Sequence, residues 1–298
     1  MLKIENVTKR FGKHIAVNNL SLNIPENSLF GFLGGNGAGK TTSFRMILGL
    51  MEATDGQITW KGKPINDKMS SKIGYLPEER GLYPKLKVQE QLVYLAKLRG
   101  MTKQEAIAGV DYWLDRFKVP EYRHKKVEEL SKGNQQKIQF MSAVLHKPEL
   151  LILDEPFSGL DPVNVEMLQD AVVDLRKHGT TIVFSSHQMA QVEQLCRELC
   201  ILVKGDAVVK GNLSDIKRSY GKKNVVIHSE EDLHFVEGLN GVINFKMYVD
   251  HCEFQIEEEK EAKTILQEVN DQVFVRKFAI EEPSLNDIFI EKVGASYE

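Results

Sequence analysis

No run of eighteen apolar residues occurs anywhere in the 298-residue sequence, which excludes a helix that crosses a membrane. Positive charge is not in excess. Lys and Arg number 39 against 42 Asp and Glu, a formal charge of -3, so no basic field speaks for nucleic acid. Cysteine is scarce: Cys196, Cys200 and Cys252 are the three present, which fits no disulfide framework and points to a reducing compartment. Cys196 and Cys200 stand four apart, but no neighbouring Cys or His completes a metal set, so both read as core thiols. The opening MLKIENVTKRFG starts a folded pattern at once, without the apolar stretch of a signal peptide. What is there is a globular composition, 42% hydrophobic and 27% charged, with length for about two domains and a sizeable core.

One stretch organises the rest. Residues 29–42 read LFGFLGGNGAGKTT, an apolar run of buried-strand length, a glycine-rich turn, then a helix start. Gly34, Gly39, Lys40 and Thr41 fit G-x-x-x-x-G-K-[ST], the phosphate-binding loop. Glycine lets backbone N–H groups close around an anion without a Cβ in the way, and the helix N-terminus adds its positive dipole end. Gly35, Asn36, Gly37, Ala38 and Thr42 complete the cradle. Lys40 is placed for the β/γ-phosphates, and the Thr41 hydroxyl for Mg²⁺. A chain with this loop binds a nucleoside triphosphate.

Upstream, alternating apolar positions over residues 2–24 predict antiparallel strands ending before Pro25. Phe11 lies in their turn and reads equally as core filler or as a ring stacked on a purine. Downstream, strands are expected at 56–60 and 72–76, followed by a proline-bounded loop, PEERGLYP, at 77–84. Residues 88–117 read as two helices broken near Gly100, the second with Trp113 at a packing position. Ser131 stands at a helix entrance, residues 150–153 form a buried strand ending in Asp154 and Glu155, and Asp161-Pro162 starts a helix that turns Val165, Leu168, Val172 and Leu175 inward. Residues 180–185 are a further buried strand, with His187 directly after it. Alone, an Asp-Glu pair reads as a solvated turn and a lone histidine as a structural residue. Here both follow the C-terminal ends of buried strands, like the phosphate loop, and that edge of an open α/β sheet is where ligands bind.

Beyond about Asp215 the pattern becomes β-α-β-β-α-β: a strand at 224–228, a short helix at 231–236, a hairpin of 242–249 and 252–257, a helix through Ala262 and Val269, and a strand at 273–280. The acidic cluster 257–261 reads as a helix-entry cap, and Ser284 and Asp287 as a capping-box variant. This second part carries no catalytic constellation.

In order, these segments resemble the ATPase subunit of ABC transporters over residues 1–214. Phe11 stands at the adenine-stacking aromatic, GGNGAGKTT is similar to the Walker A loop, and LSKGN at 130–134 to the signature motif, usually LSGGQ. LLILDEP at 150–156 resembles Walker B with its catalytic glutamate, SGLD at 158–161 the D-loop, and His187 the switch histidine. The sequence departs from the pattern at Glu78, where glutamine usually heads the Q-loop, at Lys132 and Asn134 of the signature, and at Gly35, where proline is common. PEERGLYP, LSKGNQQK and a C-terminal part ending in PSLNDIF are similar to bacterial type-2 exporters of the sodium-extrusion and peptide-antibiotic efflux kind.

The resemblance implies an α/β P-loop NTPase fold of ABC type with antiparallel and helical subdomains at 1–214, and a small ferredoxin-like α+β domain at 215–298. It implies two such chains meeting head to tail around two ATP molecules, each between one chain's Walker A and the other's signature. Lys40 then holds phosphate, and Thr41 and Asp154 hold Mg²⁺ with Glu78 beside them. Glu155 acts on the attacking water and His187 on the γ-phosphate, while Ser131, Gly133 and Asp161 complete the site. Integral-membrane permease subunits are the expected partners, placing the chain on the cytoplasmic face of the membrane. A soluble ABC-type ATPase acting on ribosomes or DNA is the alternative. Ribosome-associated members usually carry two cassettes and DNA-repair members long coiled coils, and this chain has one cassette and no heptad run. A purely regulatory ATP binder is the third reading, opposed by Glu155 and His187.

Overall fold

Apolar and polar residues alternate at the start of the chain, and a half-buried antiparallel ribbon results. β1 (Leu2–Phe11) turns Leu2, Ile4 and Val7 inward, and β2 (His14–Ile24) returns along it with Val17, Leu20 and Ile24 buried. β3 (Leu29–Leu33) is buried throughout and feeds the glycine loop and α1 (Lys40–Ile47). β4 (Asp55–Trp60) and β5 (Lys63–Pro64) complete a sheet of order β2-β1-β4-β5. The computed structural model describes residues 1–65, 67–79 and 81–294, so Arg80 of the PEERGLYP loop lies outside the described residues.

A second sheet carries the chemistry. β6 (Ile73–Leu76), β7 (Leu150–Leu153), β8 (Thr181–Ser186), β9 (Glu198–Val203) and β10 (Asp206–Asn212) join β3 in the order β10-β9-β3-β8-β7-β6. β6, β7, β8, β3 and β9 pair in parallel. The segments leaving β3, β7 and β8 therefore emerge along one edge. Both faces of these strands are covered, which is why they read as continuous apolar runs.

Between β6 and β7 stand α2 (Val88–Leu98), α3 (Lys103–Arg116) and α4 (Lys132–Val144). Trp113 of α3 packs against Phe117 and, edge-on at 5.7 Å, against Phe140 of α4. That aromatic cluster fixes the direction of α4, whose N-cap is Ser131. α5 (Pro162–Lys177) and α6 (Met189–Leu195) cross between the later strands. Leu168 and Val172 of α5 are buried as expected, whereas Val165 and Leu175 are only half-buried, being nearer the helix ends. All three cysteines are buried free thiols.

The chain divides into two compact units, Met1–Gly211 and Asn212–Glu298. The second opens with α7 (Leu213–Ser219), capped by Asn212, which the sequence pattern did not reveal. β11 (Lys223–His228), β12 (Ile243–Met247), β13 (His251–Ile256), α8 (Glu259–Asn270), β14 (Lys277–Glu281) and α9 (Leu285–Gly294) follow. The sheet order β12-β13-β11-β14, with every neighbour antiparallel, is the split βαβ plan. Two elements differ from expectation. The helix expected at 231–236 is a 3₁₀ turn, His234–Gly238, because the Ser229 and Asp232 side chains accept the Glu231 and His234 N–H groups and compete with helix. The last strand starts at Lys277, not 273, since the Phe274 N–H bonds to Glu231 Oε1 instead of a ladder partner.

Candidate active site

The loop after β3 wraps a space that only glycine permits at two points. Gly34 has φ 155° and Gly39 φ 107°. A Cβ on Gly34 would meet the Leu202 carbonyl at 2.6 Å, and one on Gly39 the Ala16 carbonyl at 2.5 Å. A cavity of about 510 Å³ opens here, lined by Gly35 to Thr42 and by Phe11 and Glu78. Phe11 is 48% exposed, with Lys9 Nζ 5.3 Å from its ring centre. It is not core filler: the exposed ring stands in the cavity wall.

Lys40 is folded back into the loop. Its Nζ donates to the Gly34 carbonyl at 2.6 Å and lies 3.3 Å from Glu155 Oε1. The other Glu155 oxygen lies 2.9 Å from His187 Nδ1, and the His187 side chain is half exposed. Asp154, 1% exposed, accepts from Thr41 Oγ1 at 2.9 Å and from Ser185 Oγ at 2.6 Å. Three strand ends thus deliver a lysine, two carboxylates, a hydroxyl and an imidazole to one place.

Glu155 sits at φ 49°, uncommon for a side-chain-bearing residue and costing on the order of 1–3 kcal/mol. Ser185 holds it there by accepting the Glu155 N–H at 2.8 Å. Ser185 escaped the sequence reading. Its signal was a pair of serines closing an otherwise apolar buried strand. Gln139 also went unnoticed: its Nε2 donates to the carbonyls of Pro77 and Glu79, pinning the loop that carries Glu78 to α4. Glu78 itself is exposed. Burial, reinforced by the Asp154 carboxylate and more weakly by Glu78 against an opposing Arg45, pushes the Tyr75 hydroxyl up to about 12.

Ser131, Gly133 and Asp161 are not among the residues lining the phosphate-loop cavity. They belong to a second cluster. Ser131 Oγ caps α4 by accepting from the Asn134 N–H, and Asp161 caps α5 by accepting from Asn164, which holds its carboxyl below the usual range. A Cβ on Gly133 would come within 3.0 Å of Asn164 Nδ2, so the two helix entrances abut.

A parallel sheet with a phosphate loop, a buried acid pair and a histidine on one edge, flanked by antiparallel and helical subdomains, defines a P-loop ATPase of the ABC type. The chain belongs to the ATP-binding subunits of ABC transporters. The family model described as ABC transporter matches residues 17–158, and the model described as "ATP-binding protein DrrA1-3-like, C-terminal domain" matches residues 211–293. Among relatives, the uncharacterized ABC transporter ATP-binding protein YhaQ of Bacillus subtilis is 61% identical over all of both chains. The linearmycin resistance ATP-binding protein LnrL of the same organism is 31% identical, covering 99% of this chain and 98% of its own. A solved ATP binding subunit of an ABC transporter superposes with TM-score 0.69 at 29% identity, covering 74% of this chain and 93% of that one. The protein is thus an ATP-binding and ATP-hydrolysing transport subunit. Among the described residues no helix is long and apolar enough to cross a membrane.

Proposed function

We propose that this chain powers an exporter from the inner face of the membrane, with two ATPase subunits closing head to tail on two ATP molecules. One observation carries the dimeric reading: Ser131, Gly133 and Asp161 lie outside the cavity that holds the phosphate loop. A second chain is needed to bring them to a γ-phosphate. The export reading rests on the likeness to the linearmycin resistance subunit and to the DrrA-like C-terminal domain. We assign the first unit, Met1–Gly211, to the nucleotide-binding domain and the second, which takes in all of α7 and so begins three residues before the expected 215, to an accessory domain.

Phosphoryl transfer is catalysed mainly by positioning and charge stabilisation. On ATP binding, Lys40 exchanges the Gly34 carbonyl and Glu155 for phosphate oxygens, with the loop amides beside it. Phe11 stacks on the adenine. Release from Lys40 frees the Glu155 carboxylate to orient the attacking water and take its proton, and His187 reaches the γ-phosphate. The all-oxygen pair of Thr41 and Asp154, 2.9 Å apart beside the loop, suits Mg²⁺, a hard cation. Those two residues would hold it, with Glu78 at the rim, and Mg²⁺ supplies neutralisation of the phosphate charge. Closure of the dimer couples this chemistry to movement of integral-membrane permease subunits.

The test is to isolate the tagged chain from detergent-solubilised membranes of its source cells. Integral-membrane partners in fixed proportion are expected, and the reconstituted complex should pump an antibiotic such as linearmycin out of the compartment that contains the ATPase face. Sedimentation with ribosomes, and no membrane partner, would transfer the chain to the soluble class of ABC-type ATPases.

A further inference from the structure

At one end of the C-terminal sheet, His228 closes β11 and His251 opens β13, directly opposite each other in antiparallel register. Directly opposed residues leave the same face. Their rings stack with centres 4.7 Å apart and planes 18° apart. Asp250, in the hairpin turn, reaches between them: its Oδ1 is 2.8 Å from His251 Nδ1 and its Oδ2 3.8 Å from His228 Nδ1. One ligand atom from each of the three residues lies within 4.8 Å of the others.

The outer nitrogen of His251 also has a carboxylate neighbour. Nε2 faces Glu253 Oε1 at 3.5 Å, and the Tyr248 ring stacks on His251 at 4.4 Å. A histidine that ligates a metal characteristically gives its other N–H to a carboxylate, which fixes the tautomer and aims the lone pair. Nδ1 of His251 is within hydrogen-bond distance of Asp250 Oδ1, at 2.8 Å, so the two groups already share one cationic centre, a proton, that a metal ion can replace. A proton bridges only the His251–Asp250 pair, whereas a metal ion can bind one atom from each of the three groups.

We propose that His228, Asp250 and His251 form a binding site for a divalent transition-metal ion, zinc by the character of the ligands. Two imidazoles and one carboxylate suit zinc over Mg²⁺ or Ca²⁺, which take oxygen ligands. Zinc bonds of about 2.0–2.2 Å put tetrahedral ligand atoms about 3.3 Å apart. The three groups reach that spacing by side-chain rotation, since all are partly exposed. The fourth position is left for water or a partner's side chain. Lys277 pairs with His228 on β14 and places an exposed ammonium nearby, which weakens the site without closing it. None of these residues takes part in ATP chemistry.

The experiment uses the full chain, stripped with chelator and titrated calorimetrically with Zn²⁺ in excess Mg²⁺, and with Co²⁺ as an optical probe. One Zn²⁺ per chain, a raised Tm, and Co²⁺ bands of nitrogen-oxygen ligation are expected. His228→Ala and His251→Ala should each weaken binding by roughly 100-fold or more, and Glu253→Gln by about tenfold. ATPase rate and circular dichroism should match the parent chain. If a histidine variant folds poorly, Asp250→Asn carries the test, because that side chain is 73% exposed. Undiminished binding in these variants, loss of binding in Cys252→Ser instead, or no binding below millimolar Zn²⁺ overturns the proposal.

Discussion

Lys40 Nζ and Glu155 Oε1 stand 3.3 Å apart, with both side chains only 7% exposed. The ion pair compensates two buried charges, so removing either partner alone strands the other. On the proposed mechanism the nucleotide would also compete with Glu155 for Lys40. ATP that wins the lysine would then leave the carboxylate held by His187 alone and its Oε1 open to the attacking water.

Glu155→Gln should therefore lower turnover by on the order of 10² to 10⁴, the usual worth of a positioned general base. ATP affinity should hold, because the amide retains the shape and weakens the competition for Lys40. Turnover, nucleotide binding and ATP-dependent dimerisation by light scattering are to be compared. Near-normal turnover would remove Glu155 from the chemistry.

Ser185→Ala separates positioning from reaction. Ser185 joins the Glu155 N–H to Asp154 Oδ1 through bonds of 2.8 and 2.6 Å, entirely out of solvent. Its loss leaves two buried polar groups without that partner and should cost about 1–3 kcal/mol of stability. Asp154 also loses its orientation, so the Mg²⁺ concentration for half-maximal turnover should rise. A lower Tm with an unchanged Mg²⁺ requirement would confine Ser185 to the fold.

The phosphate loop, the acid pair and His187 were legible because each follows a strand whose burial on both faces leaves an unbroken apolar run. The sheet edge then brings them together without help from any long-range detail. Ser185 and Gln139 were not legible, since each acts through a backbone group far away in sequence: 30 residues for Ser185 to Glu155, 62 for Gln139 to Pro77. The 3₁₀ turn at His234 was missed for the opposite reason. Its pattern of Leu233 and Val236 suits a helix, but Ser229 and Asp232 capture the local N–H groups first. The His228–His251 pair needs the register of β11 on β13, which no spacing along the chain reveals.

His146 gives an acid-sensitivity to the nucleotide-binding unit. Burial pushes its pKa down to about 4, against the opposing bond from Nε2 to the Ile73 carbonyl, with Arg99 adding to the decrease. The unfolded chain, at about 6.5, thus binds the proton that the folded chain refuses. Stability is unaffected above pH 6.5 and falls between pH 6.5 and 4, by on the order of 3 kcal/mol at most. His146→Leu should flatten the Tm-against-pH curve in that window. A variant curve parallel to the parent's would mean that another group sets the slope.

Glu78 stands where a glutamine is usual, exposed on the rim of the cavity that also holds Thr41. A carboxylate there is a better oxygen ligand or acceptor for a hard cation than an amide. With ATP bound as proposed, it would also add a negative charge to the cavity that takes the phosphates, near the Asp154 carboxylate. With Mg²⁺ present the two effects offset one another, and without it only the repulsion remains. ATP affinity should therefore depend more steeply on Mg²⁺ than in a Glu78→Gln variant, whose affinity in excess chelator should exceed the parent's. Titrating ATP against both proteins across a Mg²⁺ series measures the difference directly. Superimposable curves would show that Glu78 points away from the metal and would leave it a role at the contact with the membrane subunit.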